Sequence, residues 1–108
     1  MRVDKWLWAA RFFKTRGLAT ETVLRGRVHV NGVRAKPAKE VRLGDLLEIS
    51  VGEVRWAVTV RGLADKRGPA TVAATLYDET PESRVARERK AAERRLSRPL
   101  GADLGARP

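Results

Sequence analysis

The sequence contains no cysteine and a single histidine, His29, and these scarcities exclude several kinds of site. Without thiols, the chain can form neither a disulfide framework nor a thiolate metal centre. A transition-metal site would have to rely on carboxylates, and the acidic residues are scattered along the chain. We therefore expect no metal and no other cofactor, and we expect His29 to be a structural histidine or one at the edge of a binding surface.

Long apolar runs are also missing. No run approaches the roughly 20 residues that a membrane-spanning helix needs. The charged opening of the chain is not followed by the apolar segment of a signal peptide. We expect a cytoplasmic protein of one domain, since the chain has 108 residues. A basic protein bound to anionic lipid is the alternative, because the arginine-rich C-terminal part could face a membrane surface.

Positive charge is abundant and unevenly distributed. The formal net charge is +10. Residues 1–42 hold eleven Lys and Arg against three acids, residues 43–83 hold four against seven, and residues 84–108 hold eight against three. Clustering of this kind predicts a surface that faces a polyanion. The first cluster lies among apolar and aromatic residues, so it belongs to a folded surface and not to a disordered arm.

Helix signals dominate the first 26 residues. Asp4 is a candidate N-cap for a helix over residues 5–13, in which apolar residues recur at helical spacing, and it would also neutralise Arg2 or Lys5. Thr15 is a candidate cap for a second helix over residues 16–25, and Gly26 would end it in the left-handed conformation.

Strand signals follow. Asn31-Gly32 stands between alternating residues, which predicts a tight hairpin. Turns at Gly44-Asp45 and Gly52-Glu53 delimit two further strands, over residues 46–51 and 54–61. The sequence thus predicts a small α+β domain, with two N-terminal helices packed on a mostly antiparallel sheet.

The last third predicts a different organisation. Residues 64–80 are expected to connect the domain, residues 2–63, to a C-terminal helix, and to include a short helix over residues 70–76. The helix over residues 81–97 would begin at Thr80-Pro81, is rich in arginine, and is either solvated or bound along RNA. Residues 98–108 are expected to be a disordered tail.

Residues 2–50 resemble the S4 RNA-binding domain, whose fold contains the αL motif. The resemblance is carried, in order, by Arg2–Leu7, Arg11, Lys14–Ala19, Arg25–Gly32, Val41 and Leu43–Leu47. The opening Asp4–Arg16 and the later Gly68–Ala70 and Leu76–Thr80 further resemble the heat shock protein 15 family. That resemblance implies binding to ribosomal RNA of large subunits that still carry peptidyl-tRNA, in rescue or recycling of stalled ribosomes.

The predicted interface is a groove with two basic walls, one from the helices and one from the hairpin with the loop that follows. Rigid arginines and lysines suit the irregular phosphate spacing of folded RNA. The predicted RNA-binding residues are Arg2, Lys5, Arg11, Lys14, Thr15, Arg16, Arg25, Arg27, Asn31, Arg34, Lys36 and Lys39. Trp8 is a candidate stacking platform for a base.

Two other functions remain open at this point. The chain could be an RNA-binding accessory subunit of an RNA-modification enzyme, or a general nucleic-acid-binding protein that also binds DNA. An enzyme is not expected, because the chain has no glycine-rich cofactor loop and no nucleophile–base pair. We expect a monomer, since no apolar helix face is left over in the sequence.

Overall fold

The computed structural model describes residues 1–97, so the predicted disordered tail lies outside the described residues. The helices are, in chain order, α1 (Val3–Ala9), α2 (Arg16–Leu24), α3 (Ala70–Ala73) and α4 (Pro81–Ser97). The strands are β1 (Val28–Val30), β2 (Val33–Arg34), β3 (Leu46–Val51), β4 (Val54–Val60) and β5 (Tyr77–Glu79). The predicted α+β class is confirmed.

The five strands form one antiparallel sheet in the order β2-β1-β3-β4-β5. Side chains alternate between the faces of a strand, and the buried set lies on one face. This set comprises Val28, Val30, Leu47, Ile49, Val58 and Val60. Helices α1 and α2 cover this face with Trp6, Leu7, Ala19 and Val23, all fully buried, so one core joins the helices to the sheet.

Helix α1 begins and ends earlier than the sequence predicts. Its first amide, on Val3, donates to the Lys39 carbonyl at 2.7 Å, and Arg2 occupies the N-cap position with extended backbone. The prediction that Asp4 is the N-cap is therefore wrong, since Asp4 lies inside the first turn. At the other end, Arg11 adopts φ +66°, which turns the chain and brings Phe12 back onto Trp6, with ring centroids 6.1 Å apart.

Helix α2 and the hairpin follow the local signals closely. The Thr15 side chain accepts from the Leu18 amide at 3.1 Å, which confirms the cap, and Gly26 has φ +77° just after the helix. Asn31 and Gly32 both have positive φ, 52° and 83°, as a type I′ turn requires.

The segment before α4 holds one strand more than predicted. Residues 70–76 form α3 and a single 3₁₀ turn, and β5 then pairs with the end of β4. Three residues are too short for an alternating pattern to be recognised. Helix α4 starts after Thr80, whose hydroxyl accepts a hydrogen bond from the Ser83 amide at 3.2 Å. The Ser83 hydroxyl in turn accepts from the Ala57 amide of β4 at 2.9 Å. The helix is therefore anchored beside β4, where β5 ends.

Candidate nucleic-acid interface

Asp4 is the centre of the basic surface, although only 1% of its side chain is exposed. The Arg2 guanidinium donates to its two oxygens, from Nε at 3.2 Å and from Nη2 at 3.0 Å. The Lys5 amide donates at 2.7 Å and the Thr20 hydroxyl at 2.9 Å. Arg16 Nη2 lies 3.6 Å from Oδ1. One carboxylate thus connects the first turns of α1 and α2.

Two arginines therefore stand side by side with the same acid beneath them. The side chains of Arg2 and Arg16 remain 47% and 45% exposed. A carboxylate can hold a guanidinium by one edge while its other N–H groups face solvent. The two arginines and the acid keep a net charge of +1, in a geometry that needs little further ordering to receive a phosphate.

The loop after the hairpin meets this arginine pair. Arg2 forms a β-bridge with Glu40, whose carboxylate accepts from the terminal amine of Met1 at 2.6 Å. That hydrogen bond, together with the charge of the amine, lowers the pKa of Glu40. Lys36 and Lys39 are exposed in the same loop and have no ion pair within residues 1–97. The second basic wall thus begins next to the first.

We refer to this region as the helix–loop surface. It is defined by Arg2, Lys14, Thr15, Arg16, Lys36 and Lys39. Lys14 and Thr15 belong to it because they lead directly into Arg16, and both are exposed. The first amides of α2 point the positive end of the helix toward the same place.

Other predicted residues occupy the far side of α1. Lys5 Nζ lies 3.8 Å from Asp65, and Arg11 donates to the Gly68 carbonyl at 3.0 Å. Arg11 therefore holds the turn after α1 against the loop before α3. Trp8 is half-buried and packs against the core, and its role in stacking stays a prediction.

Two of the predicted RNA-binding residues, Asn31 and Arg34, make hydrogen bonds within the protein. Asn31 donates to Asp45 at 3.2 Å and accepts from the Leu46 amide at 2.9 Å, which ties the hairpin turn to the start of β3. Arg34 donates to the Leu24 carbonyl at 2.9 Å, so it closes the C-terminal end of α2. Gly26 lies against this arginine, and its φ of +77° is the reason that the position favours glycine, because the Arg34 side chain could shift to admit a Cβ.

Arg25 and Arg27 do not belong to the helix–loop surface. Arg25 pairs with Glu21 one helical turn earlier, at 2.6 Å. The Arg27 carbonyl accepts from the Ser50 amide at 2.9 Å, which places Arg27 beside β3, just before the start of β1. The helix–loop surface thus contains only some of the cations that the sequence predicts for the groove.

The ion pair between Asp4 and Arg2 agrees with the prediction that Asp4 neutralises Arg2 or Lys5, whereas the burial of Asp4, its approach to Arg16 and its bond from Thr20 were not predicted. One signal was available. Position 4 lies beside Val3 and Leu7 on the apolar face of the helix, and the acid there is flanked in sequence by Arg2 and Lys5. A charge at such a position must be paired when buried. Thr20, which comes from the next helix, had no local signal.

The cations of α4 are used differently. Arg87 donates to Glu79 from Nη2 at 2.8 Å and Nε at 3.2 Å, and its Cζ lies 4.3 Å from the centre of the Trp56 ring. The hydrogen bond from Arg87 lowers the pKa of Glu79, and the same contact raises the pKa of Arg87. Burial raises the pKa of the neighbouring Tyr77. Lys90 donates to the Glu53 carbonyl at 2.6 Å, which fixes the helix to the turn between β3 and β4.

Residues 1–97 contain no group of acids and histidine that could hold a metal ion. Over the same residues, no helix has the length and apolarity of a membrane span.

Comparison with known proteins gives a consistent result. Residues 1–47 match the S4 domain. Heat shock protein 15 of Escherichia coli strain K12 is 48% identical over 97 residues, which are 90% of this chain and 73% of that protein. The RQC P-site tRNA stabilizing factor of Listeria monocytogenes is 40% identical over 88 residues, which are 78% of this chain and 96% of that protein. Trimeric heat shock protein 15 of Vibrio cholerae is 45% identical and superposes with a TM-score of 0.86, over 90% of this chain and 98% of that one.

Proposed function

The chain belongs to the heat shock protein 15 family, and we propose that it is a non-enzymatic RNA-binding protein of the large ribosomal subunit. It docks on ribosomal RNA and recognises subunits that carry peptidyl-tRNA after translation has been interrupted. The name of the Listeria relative, a factor that stabilises P-site tRNA, supports this reading. The protein would act in the cytoplasm, where such subunits occur.

The observation that carries the proposal is the arginine pair on Asp4. Arg2 and Arg16 are held by one buried acid and remain about half exposed. Guanidinium groups bind phosphates with two parallel hydrogen bonds, and anchored side chains lose little freedom when they do so. Such a pair reads the position of a phosphate and not a base, so the surface would recognise RNA by its shape.

The adjoining lysines widen this contact. Lys36 and Lys39 lie in the loop that Arg2 bridges, and they would contact phosphates beyond the arginine pair. If the protein contacts six to ten phosphates, raising the salt concentration from low to moderate should lower its affinity for RNA by a factor of about 10³–10⁵, by the rule for duplex DNA. The proposal thus predicts a steep dependence on salt.

Co-sedimentation across a salt series tests the proposal. The protein is mixed with small subunits, vacant large subunits, large subunits carrying peptidyl-tRNA, and intact ribosomes, each with and without duplex DNA as competitor. We expect preference for the large subunit with peptidyl-tRNA, retained at moderate salt and in the presence of DNA. Equal, salt-labile binding to every fraction would contradict it and would favour a general nucleic-acid-binding protein.

We propose further that the chain acts as a monomer. The Vibrio relative is trimeric, so a trimer is the alternative state that must be tested. Sedimentation equilibrium over a hundredfold range of concentration distinguishes the two states. A molecular mass near 12.0 kDa throughout is the expected result, and a threefold mass would contradict it.

A further inference from the structure

The sheet face opposite the helices carries arginines that the helix–loop surface does not use. Val28 and Ile49 point into the core, so their neighbours Arg27 and Ser50 face the other way. Ser50 pairs with Arg55 across β3 and β4. Arg27, Ser50 and Arg55 therefore form one row on this second face of the sheet, which we call the outer face.

Both arginines of this row are available for binding. Arg27 and Arg55 are exposed, and neither has a hydrogen bond or ion pair from its guanidinium to any described residue of the chain. Adjacent antiparallel strands lie about 4.7–4.9 Å apart, so the two side chains leave the sheet roughly 10 Å from each other. Between them lies the Ser50 hydroxyl, which can donate to an anion.

The row lies in a cleft. One border is the end of α2 with Arg25 and Gly26, and the other is the first part of α4 with Ser83 and Ala86. A solvated protein surface ordinarily intersperses charges of both signs. Here the only acid that lines the cleft, among residues 1–97, is Glu48, which lies in the neighbouring row between His29 and Ala57.

We propose that this outer face is a second phosphate-binding surface, which contacts a different segment of RNA from the one on the helix–loop surface. The proposal rests on the proposed function and extends it. Because the sheet separates the two surfaces, one duplex cannot lie across both without bending around the domain. The protein would then bridge two RNA segments, and Arg27 and Arg55 would supply the phosphate contacts of the second.

Charge complementarity selects RNA as the occupant. The row offers the donors of two unpaired arginines and of the hydroxyl between them, and it contains no carboxylate, which suits phosphodiester oxygens. The outer face has no exposed large apolar residue in the row that would anchor a protein partner. An acidic protein surface is therefore the alternative that the experiment must exclude.

The first arm of the experiment measures the salt dependence of binding to purified large subunits carrying peptidyl-tRNA. The variant Arg27→Gln with Arg55→Gln is compared with Lys66→Gln with Arg89→Gln, which removes the same charge from exposed residues outside both surfaces. We expect the first pair to lower the slope of log affinity against log salt by about two, and the control pair to leave it unchanged. Glu48→Gln should raise the affinity, because it removes the acid beside the row.

The second arm uses the absence of cysteine. Ser50→Cys and Lys14→Cys each create a single attachment point for a thiol-directed photo-crosslinker, one on each surface. We expect both positions to crosslink to RNA, at nucleotides that belong to different segments. Crosslinking of position 50 to ribosomal protein alone would overturn the proposal, and so would crosslinking of both positions to the same segment.

The outcomes separate this inference from the proposed function. If the parent prefers the peptidyl-tRNA-bearing subunit but the Arg27 and Arg55 variant keeps the slope of the control pair, only the second surface is wrong. If the parent does not bind large subunits, the proposed function and the second surface fall together. Thermal unfolding of each variant, expected within a few degrees of the parent, shows that lost binding does not reflect lost folding.

Discussion

A carboxylate holds arginine at both ends of the molecule, but Asp4 holds two arginines and Glu79 holds one. Arg2 and Arg16 remain nearly half exposed around Asp4. Arg87 is 32% exposed, uses both edge nitrogens on Glu79, and lies over the Trp56 ring. The excess of cations over acids leaves charge available for a ligand in the first region. In the second, the arginine is satisfied within the protein and fastens α4 to the sheet.

Composition alone would not separate these regions, since both are rich in arginine. The difference comes from the number of arginines around each acid, and from the Trp56 ring that covers the guanidinium of Arg87. We therefore assign binding to the N-terminal region and attachment to the Arg87–Glu79 contact. Each of the following changes tests that division.

Charge reversal on the helix–loop surface should have the largest effect. We expect Arg16→Glu to weaken binding to the large subunit about 100-fold, close to 2.7 kcal/mol, because it removes a phosphate contact and adds repulsion. Arg89→Glu, on the exposed side of α4, is the matched control and should cost less than threefold. Co-sedimentation at fixed salt measures both, and equal losses would end the distinction between the regions.

Removing the acid that organises the arginine pair should affect both folding and binding. We expect Asp4→Asn to lower the free energy of unfolding by roughly 2 kcal/mol, because a buried amide cannot accept all the bonds that the carboxylate accepts. Binding should also weaken about tenfold at a temperature where the variant is folded. Denaturant unfolding and co-sedimentation check the two parts, and unchanged binding would show that Arg2 and Arg16 need no positioning.

The Glu79 contact should affect stability and not binding. Since its pKa is lowered in the fold, ionised Glu79 stabilises the protein above its unfolded pKa, near 4.5, and this stabilisation disappears as pH falls through the folded value. We expect Glu79→Gln to cost about 1–2 kcal/mol at pH 7, and the difference from the parent to vanish in acid. Chemical unfolding across pH measures it, and a difference that persists in acid would contradict the assignment.

Substitutions of one cation in the hairpin and one in the loop that follows it should have the smallest effects, and these effects should separate loss of binding from loss of stability. Lys39→Gln is expected to weaken subunit binding a few-fold and to leave stability within about 0.5 kcal/mol. Arg34→Gln should do the opposite, costing about 1 kcal/mol of stability through the lost bond to the Leu24 carbonyl, with little change in binding. A binding loss at Arg34 equal to that at Lys39 would return Arg34 to the interface.

Local signals predicted those parts of the fold that depend on neighbours in sequence. The Thr15 and Thr80 caps, the Gly26 stop and the Asn31-Gly32 turn each rest on a few consecutive residues, and the structure confirms them. The end of α1 was not predictable in this way. Arg11 takes its left-handed conformation where Phe12 packs on Trp6 and also on Trp56, which comes from a distant part of the chain.

The same limit applies to the interface. The cations could be listed from the sequence, but which of them bind within the fold and which remain available for RNA depends on partners far along the chain. Arg34 is occupied by a carbonyl of α2, Arg11 by Gly68, and Arg2 and Arg16 meet only because α1 and α2 pack together over Asp4. The direction of Arg27 depends on the register of β1 with β3.

The most direct test of the central claim is the salt dependence of binding when the arginine pair is removed. Arg2→Gln with Arg16→Gln is compared with the parent and with Lys66→Gln and Arg89→Gln, using large subunits carrying peptidyl-tRNA. The account predicts that the slope of log affinity against log salt falls by about two for the first variant alone. An unchanged slope, or the same fall in both variants, would contradict the claim that the Asp4-anchored arginines bind RNA phosphate.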